Sequence, residues 1–110
     1  MAFRTLFIAH APDADKERHR NVIDTGMYQL FMVVVKNQEQ AVEISADFVK
    51  RKQIDSILLC PGFKHSDIAE IAKTAGTNVA VAVARGNGPS SKVSQEARKR
   101  EGYFPKRGKE

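Results

Sequence analysis

Leu30-Phe31-Met32-Val33-Val34-Val35 is the stretch that decides the fold. A strand with one wet face alternates apolar and polar side chains, and this run does not alternate. It suits a strand that is apolar on both faces, the condition of a parallel sheet covered by helices. Ile57-Leu58-Leu59-Cys60 and Val79-Ala80-Val81-Ala82-Val83-Ala84 have the same character, and Thr5-Leu6-Phe7-Ile8-Ala9 precedes them near the start of the chain. Working outward from these runs, four strands are expected at residues 5–11, 28–36, 56–60 and 79–85.

The segments between them carry helical spacing. Asn37 is a good N-cap, with Gln40 placed to return a hydrogen bond, and Val42, Ala46 and Val49 follow at helical intervals. Glu39, Glu43 and Asp47 early and Lys50-Arg51-Lys52 late suit the helix dipole. Ser66 is the expected cap of a second helix, whose Ile68, Ile71, Ala72 and Ala75 face one way before Gly76 closes it. A third helix starts near Pro89 with a thin apolar face at Val93 and Ala97. Residues 13–25 fit a short helix or an ordered loop. Strands alternating with helices imply right-handed crossovers and an α/β fold. The expectation is a four-stranded, mainly parallel sheet with flanking helices, either open and doubly wound or a (βα)₄ unit resembling half of an eight-stranded barrel. Both architectures leave edge strands to protect, so a homo-oligomer is expected, a dimer first.

Composition narrows the function classes. At 110 residues the chain holds one domain. This is set at residues 1–97, followed by a basic tail at 98–110 expected to be mobile. A single cysteine, Cys60, rules out an intramolecular disulfide and suits a reducing compartment. No apolar run approaches the ~20 residues of a membrane span, and residues 1–12 lack the pattern of a secretory leader, so a cytoplasmic protein without membrane contact is expected. Residues 1–85 carry 11 Lys/Arg against 10 Asp/Glu, whereas residues 86–110 carry 7 against 3. The excess positive charge thus belongs to the tail. The body is nearly neutral, which disfavours nucleic acid as a partner of the fold. A tail of this charge still leaves open a second reading, a non-catalytic oligomer that contacts a partner or nucleic acid through it.

Ligands of parallel sheets bind at the carboxyl ends of the strands. In this chain those ends gather His10 with Pro12, Lys36, Cys60 through His65, and Arg85 through Lys92. Cys60, at a strand end beside a glycine turn, is a candidate nucleophile with His10 or His65 as its base, and the same thiol also suits a small core position. His10 interrupts an apolar strand, which a polar ring does only when hydrogen-bonded or used. His19 lies in a charged stretch and is as well suited to solvent. No H-x-x-x-H, C-x-x-C or H-x-E spacing is present, so neither a metal nor another cofactor is called for. Gly86-Asn87-Gly88-Pro89-Ser90-Ser91-Lys92 is the best anion-binding turn, with Gly86, Gly88, Ser90 and Ser91 offering amides and hydroxyls beside the Arg85 guanidinium. It matches neither common nucleotide-binding glycine motif and reads equally as a turn with an N-cap.

Phe7-Ile8-Ala9-His10-Ala11-Pro12, then Asp15, His19-Arg20, Val22-Ile23 and Thr25, resemble a group of small bacterial proteins classed only as a domain of unknown function. In that group a strand ends in Cys-Gly-Gly-Phe, here Cys60-Pro61-Gly62-Phe63, and a later strand ends in Arg, here Arg85. The resemblance spans roughly residues 3–86 and implies no activity. It implies that His19, Arg20, Cys60, Gly62 and Arg85 form one constellation. Pro61 departs from the pattern and removes a backbone donor, for which Lys64 offers a side-chain charge. Taken together, the expected function is binding of an anionic or phosphorylated small molecule at the carboxyl edge of the sheet. His10 and Cys60 would supply any catalytic step. His19, Arg20, Gly62, Lys64, Arg85, Gly86, Gly88, Ser90 and Ser91 would hold the ligand.

Overall fold

A computed structural model describes residues 2–104 of the chain. Its elements run β1 (Phe3–His10), β2 (Arg20–Asp24), β3 (Tyr28–Val35), α1 (Gln38–Arg51), β4 (Ser56–Leu59), α2 (His65–Ala75), β5 (Ala80–Val83) and α3 (Gly88–Arg100). The four apolar runs all form strands, and β1, β3, β4 and β5 pair in parallel. The sheet has a fifth member, which corrects the expected count of four. Arg20–Asp24 pairs antiparallel with β3 as the outer strand of a hairpin, turning through Thr25, Gly26 and Met27. Gly26 holds φ +98°, a left-handed value that favours glycine.

The strand order is β2-β3-β1-β4-β5. In a half barrel, successive parallel strands would be neighbours. Here β1 lies between β3 and β4, so the (βα)₄ half barrel is excluded. The doubly wound alternative fails for a different reason. The crossovers β3–α1–β4 and β4–α2–β5 both move the same way across the sheet, and right-handedness then puts both helices on the same face. Only the β1-to-β3 connection moves the other way, and it contains an edge strand where a helix would have covered the second face. The result is a two-layer open sheet.

Asn37 caps α1 as expected, its side chain accepting from the Gln40 N–H at 2.9 Å. The Gln40 side chain reaches one residue further back than expected and accepts from the Lys36 N–H. In α2 the cap is Lys64 and not Ser66, because the Asp67 carboxylate accepts from the Lys64 N–H at 3.1 Å and starts the helix earlier. Leu6, Ile8, Val33, Val35, Ile57 and Leu59 of the sheet meet Ala41, Ile44 and Phe48 of α1 and Ile71 and Ala75 of α2 in one core. Ala72, expected on the α2 apolar face, is exposed. On the opposite sheet face Phe7, Leu30, Met32 and Leu58 are only partly buried and lie outside that core. Helix α3 buries none of its residues and runs through Arg100, so Arg98–Arg100 are helical. The remaining basic positions of the expected tail, Lys106, Arg107 and Lys109, lie outside the described residues. Among the described residues, no helix is long and apolar enough to cross a membrane.

Candidate functional site

The direction of the connections reverses at β1 and β4, the topological switch point where open parallel sheets form a crevice at their carboxyl ends. Backbone pairing continues one step past both strands. Cys60 N–H donates to the Ile8 carbonyl at 3.1 Å, and Ala11 N–H to that of Val35 at 3.0 Å. This carries His10 and Cys60 to the crevice side by side. Directly after β4, Cys60-Pro61-Gly62-Phe63 makes a tight turn in which the Phe63 N–H approaches the Cys60 carbonyl at 3.4 Å. Proline and then glycine at its two central positions are favoured turn residues, and the N–H that Pro61 lacks is not one the turn uses. The turn delivers Phe63 to the core, where its ring lies 4.1 Å from that of His10 at a tilt of 32°.

The His10 Nδ1 stands 4.0 Å from the Cys60 Sγ, the long limit of a contact with sulfur. A Cβ built on Gly62 would lie 3.7 Å from each of these two atoms, so the missing side chain leaves both open on that side. Burial lowers the His10 pKa from its ordinary value, opposed by the negative charge of Asp67. The ring is therefore neutral at pH 7. In the tautomer protonated on Nε2 it would present Nδ1 as an acceptor to the thiol. An imidazole and a thiol placed this way can exchange a proton, which is the first requirement of an acid–base or nucleophilic site.

Around this pair lies a cleft of 860 Å³, within the range of small-molecule sites. Its walls include Pro12, Pro61, Phe63, Tyr103 and Phe104 as apolar surface, and Lys36, Lys64 and Arg98 as cations, with no carboxylate lining it among the described residues. The three cations come from three places: the end of β3, the start of α2 and the last turn of α3. Tyr103 and Phe104 reach the cleft because the chain turns after α3 through Gly102, at φ +82°, and the Tyr103 N–H bonds back to the Arg98 carbonyl at 2.9 Å.

The residues expected to act together are divided among three places. His10, Cys60, Gly62 and Lys64 meet in the cleft. Arg85, Gly86, Gly88, Ser90 and Ser91 line an adjoining hollow of 590 Å³, which shares Pro61, Gln95 and Arg98 with the cleft. There Ser91 folds back over Gly86, and its N–H donates to the Asn87 carbonyl at 2.6 Å. His19 and Arg20 join neither group. The His19 Nδ1 accepts from the Asp15 N–H, and the Asp15 carboxylate, which accepts from the Glu17 N–H, is held below its ordinary range chiefly by that bond. Arg20 donates to the Lys16 carbonyl, pairs with Glu17 and lies 5.6 Å over the Phe48 ring, on the helix-covered side of the edge strand. The constellation of His19, Arg20, Cys60, Gly62 and Arg85 is thus not assembled. The antiparallel edge strand carries Arg20 two strands away from β1.

Lys36, Phe63, Gln95, Arg98, Tyr103 and Phe104 line the cleft without having been expected as ligand residues. Lys36 had a visible signal, a charge closing an apolar strand. Gln95 and Arg98 are spaced i, i+3 on α3 and so share a face, but nothing local says what that face overlooks. The sequence profile of a family of unknown function, DUF6506, matches residues 3–98, from the first strand through most of α3. The chain belongs to DUF6506. Every element of the cleft except Tyr103 and Phe104 falls inside the DUF6506 match. No curated protein and no solved structure matches the chain.

Proposed function

We propose that this protein binds a small organic anion with an apolar or aromatic body in the cleft at the carboxyl ends of β1 and β4. The observation that carries this reading is the wall of that cleft, with three cations converging from separate elements, aromatic surface between them and no acidic residue lining it among the described residues. A carboxylate or phosphate would be held by Lys36, Lys64 and Arg98, which favour planar and tetrahedral oxyanions alike. The body of the ligand would lie against Phe63, Tyr103 and Phe104. His10 and Cys60 would face it from the crevice floor, the groups available for a proton-transfer or nucleophilic step.

Thermal unfolding with phenyl phosphate, benzoate and inorganic phosphate tests the reading. A ligand at a hundred times its Kd stabilises a fold by about 2.7 kcal/mol, a shift of roughly 10 °C for a domain of this size. Phenyl phosphate is expected to shift the midpoint more than inorganic phosphate does. The shift should vanish in the Lys64→Ala, Arg98→Ala double variant and persist in Arg85→Ala. No shift with any of the three anions, or a full shift in the double variant, would refute it. Loss in Arg85→Ala alone would move the anion to the adjoining hollow and overturn the placement.

A further inference from the structure

The sheet has one covered face and one bare face, yet its strands are apolar on both. Helices α1 and α2 share a single core with one side of the sheet. On the other side the outward positions of all five strands carry no charged residue. Ile23 is 52% exposed and Phe3 53% exposed on that side. The face is apolar except for Asn21 and the paired Thr5 and Ser56 hydroxyls, and a largely apolar surface of this kind marks an interaction site.

We propose that this bare face is a two-fold interface between copies of this chain. At about 3.3 Å per residue and 4.8 Å per strand, the five strands cover a plane of roughly 460 Å². Two such faces, with the relief of their side chains, pass the roughly 1,000 Å² that a specific interface requires. The distribution of side-chain size fits the same occupant. Ile23, Leu30 and Met32 are large and lie on the β2–β3 flank, whereas Ala80 and Ala82 are small and lie on the β5 flank. Strand β1 is the third of five, with Phe7 mid-strand. A two-fold axis over β1, parallel to the strands, sets each copy's large flank on the partner's small flank, so the surface complements itself.

Among the described residues, no other element covers this face. Apart from Pro89, the apolar residues of α3 are Val93 and Ala97, too few to mask a five-stranded face, and residues 105–110 contain no apolar side chain beyond Pro105. The absence of charge from the face argues against nucleic acid and against an anionic lipid surface, both of which recruit Lys and Arg. An axis along the strands also brings the two carboxyl-edge clefts to the same end of the dimer.

Sedimentation velocity of the full chain between 1 and 100 μM tests the interface. A species of twice the 12.2 kDa chain mass is expected. Glutamate at Ala82 or at Met32 should weaken it at least tenfold, with the far-UV circular dichroism unchanged. Ala82 is exposed, so Ala82→Glu does not disturb the core. Val93→Glu, on α3, should leave the dimer intact. A wild-type monomer at 100 μM overturns the proposal, whether or not it floats with phosphatidylglycerol vesicles. So does a dimer indifferent to both sheet variants.

Discussion

Replacing Ser45 by alanine is expected to stabilise the protein. Ser45 lies on α1 at 0% exposure, and its hydroxyl has no hydrogen-bond partner among the described residues. Leaving a buried hydroxyl unpaired costs about 1–3 kcal/mol. Alanine is also the better helix former, by roughly 0.5 kcal/mol in a helix interior. Against these gains stands the space left by one oxygen, worth a few tenths of a kcal/mol at about 24 cal/mol per Å³. The net is a gain of about 1–3 kcal/mol, which for a domain of this size raises the melting temperature by roughly 4–13 °C. Urea unfolding followed by circular dichroism, with calorimetry alongside, measures it. The midpoint should rise while the denaturant slope stays constant, since the surface exposed on unfolding hardly changes. A loss of about 1 kcal/mol or more in Ser45→Ala would refute this, because it would mean that the hydroxyl is hydrogen-bonded in the folded protein.

Three further outcomes follow from the site and its supports. His10 should titrate below the ordinary histidine value of about 6.5 in a ring-proton NMR titration, and Asp67→Asn should lower it further by removing the opposing charge. Because the unfolded chain takes up that proton before the folded one does, stability should fall as pH drops from about 6.5 towards the folded pKa and level off beneath it. His10→Gln should flatten that slope, and an unchanged slope would contradict the burial. Gly62→Ala should fold normally, since its methyl would meet the Cys60 Sγ and His10 Nδ1 at an ordinary 3.7 Å, and should slow alkylation of Cys60 by iodoacetamide several-fold; an equal rate would show that the thiol is reached from elsewhere. Asn37→Ala should cost about 1 kcal/mol in chemical denaturation by removing the bond to the Gln40 N–H, whereas a neutral result would mean that the cap is replaced by solvent.

The strands were legible because burial writes itself into composition. Leu30–Val35 and Ile57–Leu59 have no polar residue, and no other element suits such short runs. Arg20–Asn21–Val22–Ile23–Asp24 has no such signature. All five residues are exposed at the sheet edge, and a pentapeptide of mixed polarity reads equally well as a loop or a helical turn. Missing that strand also misplaced His19 and Arg20, which the hairpin carries away from β1. The His10–Cys60 pairing was readable from strand ends alone, because parallel neighbours bring their carboxyl ends to one edge. The contribution of α3 was not. Its last turn and the aromatics beyond it reach the cleft by the direction the helix takes, which no local pattern of side chains encodes.

The central position of β1 has a consequence for how the chain acquires its structure. The β2–β3 hairpin joins neighbours in sequence and can close within microseconds. Strand β1 pairs with β3 across 25 positions and with β4 across 51, and such distant contacts form late because the intervening loop must first be closed. During synthesis β1 emerges before both of its partners and is thus among the last strands to be satisfied. Its Leu6-Phe7-Ile8 run stays without one of its neighbours until residue 59 has cleared the ribosome. Over that interval the nascent chain exposes a short apolar segment, the kind of surface that makes a folding chain prone to aggregate.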